Sequence, residues 1–186
     1  IEDTRVEPLK HNALIKYLGS RNIPPDIGMK YCKEVHYTVG DRRFFGLCFM
    51  NILGGMEIRS ASFKGCHGVK APSVFQVSKE RRTSACCVFE GFMDFLSYMT
   101  LWERGDESIV QDVPCDCIVT NSTSLVRKAI PFIDVYQQAF CYFDNDDAGR
   151  DAFWKIWSAI GGRAYDMSDR YLGSNDLNDA LMYNLP

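Results

Sequence analysis

Residues 141–153, with the sequence CYFDNDDAGRDAF, decide the fold of this chain. An apolar run over residues 139–143 leads through several aspartates into a helical pattern over 148–160, which ends at Gly161-Gly162. A continuous apolar run followed at once by an amphipathic helix is typical of a parallel strand that helices bury on both faces. We therefore predict that this part of the chain belongs to an α/β sheet.

The same order of elements recurs before and after this segment. Apolar runs and helical patterns alternate over residues 85–89, 92–104, 116–120, 125–132, 163–166 and 177–183. Successive right-handed β-α units of this kind predict an open, mainly parallel α/β sheet flanked by helices. On the helix over 148–160, Trp154, Trp157 and Ile160 recur at helical spacing, and we predict that they belong to the core.

The N-terminal half has a different pattern. A helix is predicted over residues 12–18, where Gly19 and Pro24-Pro25 follow, and a second helix around 27–32. Alternating strands are then predicted over residues 35–39, 43–49 and 56–59, with turn signals at Gly40-Asp41 and Gly54-Gly55. This order indicates an antiparallel meander. We predict a small α+β subdomain over residues 1–83 and an α/β domain over 84–186.

Composition and charge limit the class of protein. The 186 residues are 46% hydrophobic and 24% charged, as in a folded protein. Residues 1–83 carry 14 basic and 8 acidic side chains, whereas residues 84–186 carry 7 and 16. A basic part that attracts a polyanion and an acidic part that holds cations fit this division, although two solvated surfaces of opposite sign would give it too.

The location of the protein is an expectation from what the sequence lacks. It has no apolar window of bilayer-spanning length and no signal-peptide pattern, so we expect a cytoplasmic protein without a membrane partner. The first residue is Ile1, and we expect the sequence to be a piece of a longer chain.

The eight cysteines form no CxxC pair, and we predict that most are small core residues in a reducing compartment.

Carboxylates follow the predicted strands at the points where those strands end. Glu90 and Asp94 follow the first strand, Asp144 and Asp146 follow the third, and Asp176 precedes the last helix. The carboxyl ends of parallel strands meet at one edge of a sheet, so these side chains are expected to converge there. Crowded carboxylates favour a hard cation such as Mg²⁺ or Mn²⁺. A lone Asp-x-Asp is common in turns, but its combination with a strand-terminal Glu-Gly-x-x-Asp is more specific.

Several basic residues are candidates for phosphate contacts. Arg43, Arg59 and Lys64 alternate with aromatic residues, a pattern that fits either a nucleic acid strand or a half-buried sheet. Arg150 either steadies a phosphate or pairs with a neighbouring aspartate. The pair Arg81-Arg82 is a candidate template contact.

Three segments together resemble the Toprim domain of bacterial-type DNA primases and of primase-like proteins carried by mobile elements. They are VFEGFMDFLSYM at 88–99, CYFDNDDAGRDAF at 141–153 and SNDLNDAL at 174–181. The N-terminal half resembles the smaller subdomain that precedes Toprim in primase cores. Two positions depart from the family pattern: Asn175 stands where relatives often have lysine, and TNST at 120–123 replaces a glycine-bearing turn.

The resemblance implies a function and a site. Glu90 matches the Toprim glutamate, a general acid/base or a member of the acidic cluster, and Asp144 and Asp146 match the metal-binding Asp-x-Asp. Asp94 and Asp176 match accessory acids. The implied activity is nucleotidyl transfer with Mg²⁺ or Mn²⁺ on a single-stranded DNA template, with nucleoside triphosphates as substrates. The implied setting is DNA replication or plasmid or transposon mobilisation, with a helicase or mobilisation proteins as partners.

Two other functions stay open at this point. One is a Toprim nuclease that cleaves phosphodiesters, and the other is a non-catalytic DNA-binding accessory of mobilisation. A topoisomerase is disfavoured because its catalytic tyrosine lies on a separate domain, which a sequence of 186 residues is too short to contain as well. A phosphatase of the Asp-x-Asp type is disfavoured because Asp146 precedes Asp147-Ala148 instead of the usual x-Thr/Val.

Overall fold

A computed structural model describes residues 1–77 and 83–183. The chain divides into two compact units, Ile1–Lys70 and Ala71–Pro186, called here the N-terminal and C-terminal units. Across the described residues, none of the helices combines the length and the apolar character that a bilayer span requires.

The N-terminal unit is a five-stranded antiparallel sheet with two helices. Its strands are β1 (Glu2–Pro8), β2 (Lys33–Val39), β3 (Arg42–Met50), β4 (Met56–Arg59) and β5 (Lys64–His67). Its helices are α1 (Asn12–Ser20) and α2 (Pro25–Tyr31). The strands lie in the order β1-β2-β3-β4-β5, so the predicted meander of β2, β3 and β4 is confirmed. Strands β1 and β5, which were not predicted from the sequence, extend the meander on either side.

One buried carboxylate ties the start of α1 to β2. Glu34 is buried, and its Oε2 accepts the backbone N–H groups of Lys10 at 2.8 Å and His11 at 2.7 Å. Its Oε1 lies 3.0 Å from Nε2 of His36. Burial raises the pKa of Glu34, but the hydrogen bonds from His36, Lys10 and His11 outweigh this effect and leave the pKa below its ordinary value. Glu34 therefore stabilises the fold in its charged form.

Replacing Glu34 with glutamine should destabilise the N-terminal unit. The variant loses a charged acceptor for two backbone amides, which costs about 1–3 kcal/mol at pH 7. Because the folded pKa is lowered, this contribution is present above the ordinary value of 4.5 and is lost as the pH falls through the folded pKa. Hydrogen exchange of β1 and α1 measures the effect, with Glu2→Gln as an exposed control. Equal exchange in Glu34→Gln and the parent at pH 7 would contradict it.

The C-terminal unit is a mixed, mainly parallel sheet with helices. Its strands are β6 (Ser73–Phe75), β7 (Ala85–Phe89), β8 (Asp116–Val119), β9 (Gln138–Tyr142) and β10 (Ala164–Asp166). Its helices are α3 (Phe92–Arg104), α4 (Val126–Ile133), α5 (Asp147–Ile160) and α6 (Leu177–Tyr183), with 3-10 turns at Thr123–Leu125, Gly161–Arg163 and Ser168–Tyr171. The strand order is β10-β9-β7-β8-β6. The predicted fold class is confirmed.

Strand β6 is the one antiparallel member of this sheet among the described residues. Ser73 pairs with Val119 and Phe75 pairs with Cys117, so β6 adds an edge beside β8. The compact unit that contains β6 begins at Ala71. The domain boundary between residues 83 and 84 stays a prediction. A three-residue strand carries too little periodicity to be recognised from sequence.

The core of the C-terminal unit corrects one prediction. On α5 the buried stripe consists of Gly149, Ala152, Phe153, Ile156 and Ile160. Ile160 is in the core as predicted. The prediction was wrong for both tryptophans, because Trp154 is 55% exposed and Trp157 is 43% exposed. Their i, i+3 spacing defines a second stripe beside the buried one, and smaller side chains fill the core instead.

The cysteines fit the predicted structural role. All eight are free thiols, and all but Cys66 are buried. Burial raises the pKa of the Cys48 thiol to about 11, which keeps it protonated at neutral pH.

Candidate active site

The register of the parallel strands places the first and third acidic segments at one edge. Phe89, the last residue of β7, pairs with Tyr142, the last residue of β9. Glu90 follows Phe89 directly, and Asp144 comes two residues after Tyr142. Both carboxylates therefore leave the sheet at its carboxyl edge, where ligands of open α/β sheets bind.

The segment after β8 holds the backbone of Glu90. The Thr120 hydroxyl donates to the carbonyl oxygens of Phe89 at 3.2 Å and Glu90 at 3.3 Å. Asn121 adopts a left-handed φ of 63°, a conformation that asparagine tolerates better than most side chains. Its amide donates to the Ala71 carbonyl at 2.9 Å. Asn121 thus forms the left-handed turn after β8, in the segment where the Toprim resemblance implies a glycine-bearing turn. Thr120 holds the backbone of Glu90 in position. Neither role was predicted from the sequence.

Asp94 is the electrostatic centre of the site. It lies in the first turn of α3, and only 8% of the residue is exposed. Burial raises the pKa of its carboxyl well above the ordinary value. Three nearby carboxylates raise it further, and they belong to Asp176, Asp144 and Glu90. The structure therefore places three of the other four predicted acids, Asp176, Asp144 and Glu90, within range of the charge on Asp94.

The turn between β9 and α5 shapes the Asp-x-Asp segment. Asp146 is the N-cap of α5, and its Oδ1 accepts the backbone N–H of Gly149 at 2.8 Å. A Cβ atom at Gly149 would lie only 2.0 Å from the carbonyl oxygen of Asp144. Only glycine allows the helix to approach the Asp144 backbone this closely. Asp146 is exposed, and its cap leaves the second carboxylate oxygen unused.

Asn145, between the two aspartates, holds this turn against the segment before α6. Its amide nitrogen Nδ2 lies 2.9 Å from the Ser174 carbonyl and 3.3 Å from that of Tyr171. Its backbone N–H donates to the Asn175 carbonyl at 2.6 Å. This role of Asn145 was not predicted, because its position between two acids in the sequence gives no sign that it binds a distant segment.

A buried asparagine connects the last acidic segment to α3. The backbone N–H of Asn178 donates to Oδ1 of Asp94 at 3.3 Å, and its side-chain amide donates to the Ser97 hydroxyl at 2.9 Å. Asp176 accepts the backbone N–H of Asp179 at 2.7 Å and so begins α6. These bonds fix Asp176 close to Asp94.

The acids do not form a closed metal cage. Within residues 1–77 and 83–183, no group of three or more histidine, cysteine or carboxylate side chains is arranged to hold a metal ion as it stands. The donor chemistry nevertheless suits a hard cation, because the clustered side chains offer oxygen alone. Burial and, after it, the neighbouring carboxylates raise the pKa of Asp94, and a divalent cation would offset the repulsion from those carboxylates.

Family comparison identifies this region. Residues 87–181 match the family described as Toprim-like. The chain belongs to the Toprim-like family. Residues 3–68 match a second family, described as Domain of unknown function (DUF8464). No curated protein matches the sequence.

Solved structures with the same fold include three primase chains or complexes. The primase fragment of the bacteriophage T7 primase-helicase protein aligns with a TM-score of 0.61 and 18% identity, over 96% of this chain and 69% of that one. A chain from a T7 complex of lagging-strand DNA polymerase and primase domains, bound to an RNA/DNA hybrid and dTTP, also aligns. Its TM-score is 0.59 and its sequence identity is 16%, over 96% of this chain and 86% of that one. The Aquifex aeolicus primase aligns with a TM-score of 0.58 and 13% identity, over 86% of this chain and 50% of that one. This Toprim-like chain therefore has a primase-like fold.

The predicted phosphate contacts of the Toprim-like chain are in different places. Arg150 pairs with Asp147 one turn along α5, and both side chains are largely exposed. Arg43, Arg59 and Lys64 belong to the N-terminal unit. Arg81 and Arg82 lie outside the described residues.

Replacing Gly149 with alanine should disturb the Asp144 turn. The added methyl group would press on backbone atoms of Asp144, so we expect the free energy of unfolding to fall by about 1–3 kcal/mol. Gly162→Ala is the matched control, since a Cβ at Gly162 meets nothing within 4 Å. Urea denaturation measures both variants. A Gly149→Ala variant as stable as the control would show that the close approach is unimportant.

Replacing Asp94 with asparagine should stabilise the chain in EDTA. The folded pKa of Asp94 is raised, so its contribution is favourable below its ordinary value of 3.8 and is lost as the pH rises toward the folded pKa. Asparagine keeps the acceptor for Asn178 without the charge. We expect a gain of about 0.5–2 kcal/mol at pH 7 that shrinks on acidification, measured by urea denaturation.

Asp151→Asn, at an exposed position on α5, is the control for this experiment. It should leave the stability within about 0.5 kcal/mol of the parent. A loss of stability in Asp94→Asn at pH 7 would contradict the electrostatic account of the cluster.

Proposed function

We propose that this chain is the catalytic core of a primase-like nucleotidyltransferase. It joins nucleoside triphosphates on a single-stranded DNA template and requires Mg²⁺ or Mn²⁺. The observation that carries the proposal is the convergence of Glu90, Asp144 and Asp176 on the buried Asp94, at the carboxyl edge of a Toprim-like sheet. The primase-like fold supports the choice of reaction.

The carboxylates have separate roles in this proposal. Glu90, Asp144 and Asp146 hold the cation, with Asp94 and Asp176 as accessory acids. Asp146 binds through the oxygen that the helix cap does not use. When bound, a divalent cation supplies positive charge that stabilises the transferring phosphoryl group. Thr120 and Asn145 keep Glu90 and Asp144 in position through their backbone contacts.

Basic residues handle the phosphates in this proposal. Arg150 exchanges its exposed partner Asp147 for a triphosphate oxygen; an exposed pair of this kind contributes only about 0–1 kcal/mol, so the exchange costs little. Arg43, Arg59 and Lys64 guide the template, as do Arg81 and Arg82. Each phosphate contact adds to the salt dependence of binding.

The biological setting is a further part of the proposal. The chain serves DNA replication, or plasmid or transposon mobilisation, in the cytoplasm, and works with a helicase or with mobilisation proteins. The T7 relative is a fragment of a primase-helicase protein, which supports a helicase as partner.

A primer-synthesis assay tests the proposal. The parent with a single-stranded template, nucleoside triphosphates and Mn²⁺ should make short products. Asp144→Asn and Glu90→Gln should lower the rate at least about 100-fold, since each removes a carboxylate that holds the cation beside the reacting phosphate. Asp151→Asn should retain the parent rate. Calorimetry should show weaker Mn²⁺ binding in Asp144→Asn.

A nuclease or a DNA-binding accessory would give different results in the same assays. A Toprim nuclease would cut the template with Mn²⁺ without consuming nucleoside triphosphates. A DNA-binding accessory would bind the template equally well as parent and as Glu90→Gln, with no turnover in either. Either result, or equal Mn²⁺ binding by parent and Asp144→Asn, would overturn the proposal.

A further inference from the structure

The N-terminal unit contains a cavity of about 510 Å³ at an interrupted edge of its sheet. β2 pairs with β3 from Arg42 to Cys48, but β4 pairs with β3 only from Leu47 to Met50. Residues 43–45 of β3 therefore lie beyond the end of β4. They line the cavity together with α1 residues and the 60–63 loop between β4 and β5. Its volume lies within the range of about 300–1,000 Å³ that is usual for ligand sites.

Aromatic rings form much of the cavity wall. They belong to Tyr17, Tyr37, Phe44, Phe45 and Phe63. The Tyr37 and Phe44 rings stack with centroids 5.6 Å apart, and Phe63 lies 6.2 Å from Tyr37. Phe44 is 40% exposed and Phe63 is 38% exposed. These rings are held by a buried neighbour yet present part of their surface to solvent, as a stacking site for a planar group does.

The charges around the cavity favour an anionic ligand. Among the described residues that line it, Arg43 is the one charged side chain. Arg59 and Lys64 bracket the 60–63 loop and are direct cross-strand partners. Two like charges directly opposite each other are unfavourable. A phosphate near them would offset this repulsion. The unit as a whole, residues 1–70, carries 11 basic and 7 acidic side chains.

We propose that this cavity takes one unpaired base of single-stranded DNA, stacked on Phe44 and Phe63. The phosphates on either side of that base contact Arg43, Arg59 and Lys64. An aliphatic peptide would fill the apolar volume but would leave the three cations without an anion. The inference rests on the proposed function, because the strand that enters the cavity is the template.

The test separates base insertion from backbone contact. Fluorescence anisotropy measures binding of a labelled thymidine oligonucleotide and of an abasic oligonucleotide of the same length, at one salt concentration. Phe44→Leu and Phe63→Leu keep apolar volume but remove the stacking face. Each should weaken binding of the thymidine strand about tenfold and leave the abasic strand unchanged. Trp154→Leu, an exposed aromatic of the C-terminal unit, should change neither affinity.

Arg43→Gln tests the phosphate contact with the same two probes. It should weaken both strands alike and lower the slope of log affinity against log salt by about 0.7. Circular dichroism checks that each variant is folded. Equal losses on both probes in the two leucine variants, or full binding of the thymidine strand by both, would overturn base insertion. Full binding would also be the outcome if the cavity serves an apolar peptide.

Failure of this inference differs from failure of the proposed function. Selective loss of thymidine-strand binding without any primer synthesis would reject the enzyme and keep the cavity. Primer synthesis by the parent with no selective loss in the leucine variants would reject the cavity and keep the enzyme.

Discussion

The burial of Asp94 beside three other carboxylates is the constraint on which the C-terminal unit depends. A buried carboxyl with acidic neighbours is unfavourable in its charged form, and its raised pKa expresses that cost. The surrounding structure has to hold the acids in place against their repulsion. The parallel pairing of β7 and β9 fixes Glu90 and Asp144 at one edge, and the hydrogen bond from Asn178 holds Asp94. Side chains whose pKa is shifted by burial and by neighbouring charges are common at functional sites.

The sequence predicted this arrangement to a large extent, because its strongest signals are local. Buried parallel strands produce continuous apolar runs, and their crossover helices produce apolar residues at helical spacing. Accordingly, β7, α3 and α6 lie at the predicted residues. The rule that residues after parallel strands share an edge predicted that Glu90 and Asp144 lie together. Asp176 precedes a helix and follows no strand, so its place in the cluster came from the resemblance of SNDLNDAL to the Toprim pattern.

The remaining features depend on contacts between distant residues. Nothing in the local sequence distinguishes Asn145 and Thr120 from other polar residues. Their roles come from hydrogen bonds to the distant carbonyl groups of Ser174 and Glu90. β6 is short and β1 is polar, so each is a strand only because it pairs with a neighbour. The two tryptophans of α5 could not be placed from periodicity, since two overlapping stripes compete and volume decides which one the core accepts.

The central claim is that the acidic edge binds a divalent cation for phosphoryl chemistry. The most direct measurement is anomalous diffraction from crystals of this chain soaked in Mn²⁺. The account predicts a strong anomalous peak within about 2–2.5 Å of carboxylate oxygens of Glu90 and of Asp144 or Asp146. A well-diffracting crystal with Mn²⁺ bound elsewhere and no peak at these side chains would contradict it.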